Sequence, residues 1–290
     1  MTTTLRPTEP LQQTDDGARS RTYEVCVNSR PVGTIALGTD PGFGPAVGVI
    51  QALRIDGSDR RRGRGTVAAL AAEEVLRGWG CREVLASVEI PGQAEHTGQA
   101  GDAAPALRLA TALGYTERSS NMVKPLPSLP PELPDGTVGR PLQDSEYDAW
   151  WAAASTRYAQ AWIDRGASPE LARAKAETSR TEVLPDGLAT PGVSLDALVH
   201  AGQVVGTLWV SRREETPDEP GAYVYDVVVG EDQRGKGYGR ALMLLAERVA
   251  LGFGATRLGL HVFAGNTPAI RLYESLGYVT THRNFHKALL

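Results

Sequence analysis

The chain matches itself. Pro105-Ala-Leu-Arg-Leu-Ala110-Thr-Ala-Leu-Gly114-Tyr115 lies opposite Pro268-Ala-Ile-Arg-Leu-Tyr273-Glu-Ser-Leu-Gly277-Tyr278. Asn121 and Lys124 follow the first segment as Asn284 and Lys287 follow the second. Upstream, Arg62-Gly-Arg-Gly65-Thr-Val67 lies opposite Arg234-Gly-Lys-Gly237-Tyr-Gly239. A repeat of this length is a whole supersecondary assembly rather than a solenoid unit, and 290 residues suffice for about two domains with separate cores. The expectation is a tandem α/β protein.

Apolar periodicity supplies the elements. Thr22 to Val27 and Val32 to Leu37 read as strands joined by the turn Asn28–Pro31, and Val47 to Ile55 as a third. A helix runs through Leu76, a strand covers Arg82 to Val88, and Pro91 to Ala104 is a polar loop. Pro105 to Leu113 is a short helix ending at Gly114, and Thr116 to Lys124 reads as a closing hairpin. Residues 1–21 read as a flexible segment, residues 22–126 as a first domain, and the proline-rich 127–136 as a stiff linker from which no core can be built. Residues 137–290 are the second domain. A strand near Thr137 to Leu142 opens it, followed by two helices, to about Asp164 and about Val183, that the first copy lacks. A hairpin turns at Ala201-Gly202, and Ala222 to Val229 is a strand. A helix starts after Gly239, Arg257 to Phe263 is a strand, Thr267 to Leu276 a helix, and Tyr278 to Leu289 closes the sheet.

The chemistry concentrates after the strand ending Val227-Val228-Val229. Gly235, Gly237 and Gly239 allow close backbone approach at a helix start, while Arg234, Lys236 and Arg240 add positive charge, which suits a phosphate-bearing anion. Gly230, Gly235 and Lys236 nearly meet the P-loop pattern, yet Gly237 stands where Ser or Thr would bind Mg²⁺. That disfavours a nucleotide hydrolase. The dinucleotide spacing G-x-G-x-x-G is not met. Arg234, Gly237 and Gly239 do meet R-x-x-G-x-G. With Asn266 and the Tyr273 helix downstream, the chain resembles the GCN5-related N-acetyltransferase (GNAT) family, well over 137–290 and more weakly over 22–126.

The resemblance implies two mixed, mostly antiparallel sheets flanked by helices, with acetyl-CoA as cosubstrate. Parallel strands at Tyr223–Val229 and Arg257–Phe263 are expected to splay around the pantetheine arm. Val227, Val228 and Val229 would bond that arm through their backbone, and a backbone N–H there would stabilise the thioester oxyanion. Amides from Gly235 through Tyr238 and Gly239 to Arg240 would hold the pyrophosphate. Asn266, with Ala269 on the same helix start, would contact pantetheine. Tyr273 would protonate the departing thiolate. Attack would be direct, in a ternary complex, because Cys26 and Cys81 both lie in the first half.

The base stays open. Asp226 is the carboxylate on its strand and serves as base, amine anchor or ordinary surface acid. Tyr223 and Tyr225 line the acceptor side as alternatives, and His261 is a weaker candidate. Trp150, Trp151, Tyr158 and Trp162 form either part of an acceptor pocket or plain core. In the first copy, Val67 stands opposite Gly239, Ala110 opposite Tyr273 and Ala103 opposite Asn266. It reads as a degenerate scaffold, with residual CoA binding through Arg62, Gly63 and Gly65 the lesser reading. A non-catalytic CoA sensor is the different-class alternative for the whole chain.

Composition narrows the partners. A net charge of −4 disfavours nucleic acid, no stretch spans a membrane, and His and Cys show no metal-ligand spacing. Two cysteines and no apolar leader suit a cytoplasmic protein. The expected partner is a small-molecule amine acceptor, with the chain a monomer or homodimer and no metal bound.

Overall fold

A computed structural model describes residues 3–40, 42, 46–91, 103–164, 168–217 and 219–289. Most of the loop expected between Pro91 and Ala104 lies outside them. The chain divides into two compact units. Unit 1 is Met1–Ser120 with Phe263–Gly265 and Thr281–Leu290, and unit 2 is Asn121–Val262 with Asn266–Thr280.

Unit 1 contains β1 (Thr3–Pro7), β2 (Gln12–Gln13), β3 (Arg19–Val27), β4 (Arg30–Thr39), β5 (Val47–Ile55), α1 (Arg64–Gly78), β6 (Glu83–Glu89) and α2 (Ala104–Ala112). The flexible segment expected over 1–21 is instead strand where described. Thr3 to Pro7 pair with Val27 to Tyr23, and Gln12 and Gln13 pair with Ser20 and Arg19. Ladder bonds join main chains, so a polar edge can pair without an apolar face, and Leu5 packs on the core. The sheet runs β1-β3-β4-β5-β6 and then β13 (Val279–Ala288), from the end of the chain. Within it β5 and β6 are parallel, while β1, β3, β4 and β13 pair antiparallel to their neighbours. Val25, Val32, Ile35 and Leu37 meet Ala68, Ala72 and Leu76 of α1 in the core, and Phe285 of β13 completes it.

Unit 2 contains β8 (Thr137–Pro141), α3 (Asp144–Ile163), α4 (Pro169–Val183), β9 (Val193–His200), β10 (Gln203–Arg212), β11 (Ala222–Val229), α5 (Tyr238–Gly252), β12 (Arg257–Phe263) and α6 (Thr267–Ser275). Its sheet runs β12-β11-β10-β9-β8, with only the β11–β12 pairing parallel among these. On one face Ala241, Leu242, Leu245 and Ala246 of α5 pack on Leu208, Val224 and Leu258. On the other, Trp150 of α3 packs with Leu184, Leu195 and Trp209. The apolar stripe of α5 recurs at helical spacing and each fully buried leucine contributes about 2 kcal/mol.

Three boundary expectations change. Thr116–Pro125 is one strand, β7, and not a hairpin, because Ser119 and Ser120 extend the backbone instead of turning it. Its first part, to Ser120, belongs to unit 1 and the rest to unit 2. Residues 127–136 are not purely a spacer, since Leu133, with Leu126 just before, packs against the core of unit 2. Residues 281–290, expected to close the second domain, belong to unit 1.

Candidate active site

Strand β11 leaves one of its neighbours partway along. The parallel register with β12 runs Ala222↔Leu258, Tyr223↔Gly259, Val224↔Leu260 and ends there. Toward β10 the pairing continues to Val229↔Gly206, with a shift between Trp209↔Asp226 and Val210↔Val224. Tyr225 is therefore the extra residue of a β-bulge, which bends the strand and re-aims side chains. The backbone from Tyr225 to Val229, including Val227 and Val228, lies beyond the β12 ladder.

A tight turn follows. Gly230 leads into a 3₁₀ turn over Glu231–Gln233 with Arg234 extended after it. Gly235 and Gly237 take φ of +77° and +86°, and Gly237 is the N-cap of α5. That left-handed geometry favours glycine, and the amides at the helix start point along its axis toward the turn. A Cβ on Gly239 would come within 3.2 Å of Leu272, so the helix start lies tight against α6. The basic side chains here make only local contacts. Arg234 faces Glu231 at 3.8 Å, Lys236 Nζ donates to Gln233 Oε1 at 3.0 Å, and Arg240 donates to Ser275 Oγ at 2.6 Å. Tyr238 bonds the His200 ring at 2.8 Å, tying α5 to β9.

Two expectations at α6 shift. Asn266 is its N-cap, and its Oδ1 accepts from the Ala269 N–H at 3.3 Å. The carbonyl side of Asn266 and the amide of Ala269 thus serve the helix itself, leaving the Asn266 Nδ2 as the donor for a ligand. Tyr273, by contrast, is buried. Burial first, then the charge of Asp226, pushes its phenol up to about 12.

Asp226 faces α3. Arg157 Nη2 donates to its Oδ2 at 2.8 Å. Burial raises the Asp226 carboxyl more than Arg157 lowers it. Tyr225 stacks on Trp209 at 4.9 Å, and Tyr223 lies 5.4 Å from Tyr225. Arg213 stacks 3.9 Å over Tyr223 and donates to the Tyr225 hydroxyl at 2.8 Å. The structure brings Asp226, Tyr223 and Tyr225 into one neighbourhood. His261 is engaged elsewhere, bonding Asn121 Oδ1 at 3.0 Å. Trp150 is core, edge-on to Trp209. Trp162 carries Lys175 over its ring at 4.4 Å. Sequence reasoning missed Arg157 and Arg213, for which no pattern signals a partner. The bulge did leave a trace, since Tyr225-Asp226 puts two polar-tipped residues side by side where alternation calls for one.

The first copy aligns differently from the sequence reading. Its 3₁₀ turn is Gly57–Asp59, Arg60 is extended after it, Arg61 takes φ +58°, and Gly63 is the N-cap of α1 at φ +72°. Feature by feature this places Arg60, Gly63 and Gly65 opposite Arg234, Gly237 and Gly239, two residues from the register read in the sequence. Val67 is thus not opposite Gly239, and R-x-x-G-x-G is intact in unit 1. The β-bulge recurs too, with Gln51 between Leu37↔Ile50 and Ala36↔Ala52. Ala52 then stands where Asp226 stands and Ala110 where Tyr273 stands. The buried Asp59 holds both Arg30, at 2.7 Å, and Arg64.

Among the described residues, no three His, Cys, Asp or Glu side chains converge as metal ligands. The left-handed glycine turn, open around Gly235 and Gly237, with its exposed basic rim, fits a diphosphate-bearing cosubstrate such as acetyl-CoA.

Comparison with known proteins agrees with this geometry. The profile of the Acetyltransferase (GNAT) family matches residues 2–96 and 147–278. The uncharacterized N-acetyltransferase YycN of Bacillus subtilis is 34% identical over 143 residues, 49% of this chain and 91% of that protein. The mycothiol acetyltransferase of Thermobispora bispora is 33% identical over 208 residues, 70% of this chain and 68% of that one. A tandem GNAT protein from the clavulanic acid biosynthesis pathway has a similar fold, with a TM-score of 0.50 at 21% identity over 94% of this chain and 84% of its own.

Proposed function

Since the chain belongs to the acetyltransferase (GNAT) family, we propose that unit 2 is the catalytic one and moves an acetyl group from acetyl-CoA to a small amine by direct attack in a ternary complex. Acetyl-CoA supplies a thioester, an acyl carbon already activated toward amines. The protein supplies the rest. The amides from Gly235 to Arg240 and the α5 dipole hold the diphosphate. On its β12 side, the reach of β11 from Tyr225 to Val229 offers main-chain groups to an extended arm, and Asn266 Nδ2 offers another donor.

Asp226 receives the incoming amine. Its raised carboxyl lies nearer the working pH than an ordinary aspartate, which suits a base or an anchor. Tyr273 stands on the sulfur side as proton donor. With its phenol raised to about 12 it stays protonated across the working range, at the expense of acid strength, so its main effect is a hydrogen bond to the departing sulfur. The observation that carries this reading is that the splayed strand, the left-handed glycine turn, Asp226 and Tyr273 coincide only in unit 2. Unit 1 keeps the turn and has alanine at both reactive positions.

Tyr273→Phe tests it. Amine-dependent thiol release should fall about 100-fold, while acetyl-CoA affinity stays within a few-fold of the parent. An unchanged kcat removes Tyr273 from its role.

A further inference from the structure

Two guanidiniums flank the acceptor side of unit 2. Tyr223, Tyr225 and Asp226 form its floor, Arg157 reaches it from α3, and Arg213 from the end of β10. Arg213 is fixed in place. Its guanidinium carbon lies over the Tyr223 ring at 3.9 Å and 5.2 Å from the Tyr225 ring, and the group donates to the Tyr225 hydroxyl at 2.8 Å. Its carboxylate neighbour, Glu219, stands at 3.8 Å, a loose pairing. Beside it is a cavity of about 450 Å³ lined by Pro191, Gly192, Arg212, Arg213 and Glu214. The cavity wall sets Arg212 and Arg213 against Glu214, with Glu219 the looser neighbour of Arg213. A guanidinium held by stacking loses little freedom on binding, and its planar fork matches a carboxylate in two hydrogen bonds.

Resting on the catalytic reading above, we propose that the acceptor is an amine that also bears a carboxylate, its amine received by Asp226 and its carboxylate by Arg213 at the cavity mouth. Tyr225 sets the spacing, because it adjoins Asp226 in the chain and bonds Arg213 through its hydroxyl. The amine takes over the place that Arg157 fills on Asp226, exchanging one cation for another at the same carboxylate.

The test compares ω-amino carboxylates of increasing chain length with their matching carboxamides. Both thiol release and equilibrium binding to protein saturated with acetyl-CoA are measured, so the comparison does not depend on turnover. Carboxylates should win over carboxamides by about 10-fold or more in affinity and in kcat/KM, with an optimum at one chain length. Arg213→Gln should collapse that ratio toward one through KM, and Arg213→Lys should restore part of it. Equal affinity for both series overturns the proposal, as does an Arg213→Gln variant that keeps the preference. Asp226→Asn separates the two readings. A variant that keeps its kcat and its carboxylate preference would remove Asp226 from catalysis and leave the anion site standing.

Discussion

At the scale of single residues, the role proposed for Asp226 is checked by a pH profile. Burial raises its carboxyl above the ordinary range despite Arg157. A raised acid stays protonated further up the pH scale and gains its charge later. If the charged form receives the amine, kcat/KM should rise with pH along a limb lying above the usual aspartate value. Asp226→Asn should flatten that limb in a pH profile. A limb that persists in the variant assigns it to another group. The cation bonded to that carboxylate is the Arg157 guanidinium. The sequence marks Asp226 as base, amine anchor or ordinary acid, but not its burial or its partner. Its neighbours come from α3, 69 residues away in the chain, and no local pattern encodes such a contact. Tyr273 is singled out by the family resemblance, and its helix repeats a segment that carries alanine in the first copy.

At the scale of elements, most strands and helices could be read from their apolar periods. β5, β11 and β12 fall on the expected residues because β-branched runs bounded by turn residues leave little choice. Edges were harder. β1 and β2 are short and largely polar, held by main-chain pairing with the Arg6–Glu24 ion pair and Leu5 as additions, and β7 has no apolar alternation strong enough to deny a turn. The first copy's phosphate turn was misread by two residues because arginines fill the register there, and only the left-handed φ of Gly63 fixes it. Buried polar positions inside a strand also escape pattern reading. Asp196 in β9 is 6% exposed and accepts from Ser194 Oγ at 2.6 Å. Burial raises its carboxyl, with Ser194 opposing. The folded state therefore holds that proton more tightly than the unfolded chain does. Stability from this group is present at low pH and declines as pH rises from the ordinary aspartate value through the folded one. Asp196→Asn should then raise Tm at neutral pH and above, and the gain should shrink on acidification. A gain that does not change with pH would contradict this.

At the scale of the whole molecule, the two repeats trade their last strands. Unit 1 is closed by residues 281–290 of the second repeat, and unit 2 contains Asn121 onward from the first. One buried cluster recurs in both. In unit 1, Lys287 Nζ bonds Glu73 at 2.7 and 2.9 Å and lies 5.5 Å from the Tyr115 ring. In unit 2, Lys124 Nζ bonds Glu247 at 2.5 Å and lies 5.9 Å from the Tyr278 ring. Each lysine comes from the exchanged strand. Glu73 and Glu247 are each 1% exposed, so removing a lysine strands a carboxylate. Lys287→Met should destabilise unit 1 by about 3 kcal/mol in denaturant unfolding. Replacing Glu73 by Met as well should recover much of the loss, since an apolar pair can substitute for a buried ionic one. A single variant as stable as the parent would show that the cluster does not hold the exchanged strand. The repeat was visible in the sequence, but the exchange was not, because equivalent strands of a repeat fit either sheet and only their neighbours decide.

Which unit does the chemistry is the question on which the account turns, and matched turn variants answer it. Gly237 and Gly63 hold the same left-handed N-cap in units 2 and 1, so a valine imposes comparable strain at either. The measurement is acetyl-CoA-dependent thiol release with a responsive amine, on the full chain. Gly237→Val should abolish it and Gly63→Val should leave most of it. Loss with Gly63→Val and retention with Gly237→Val would place catalysis in unit 1 and contradict the account.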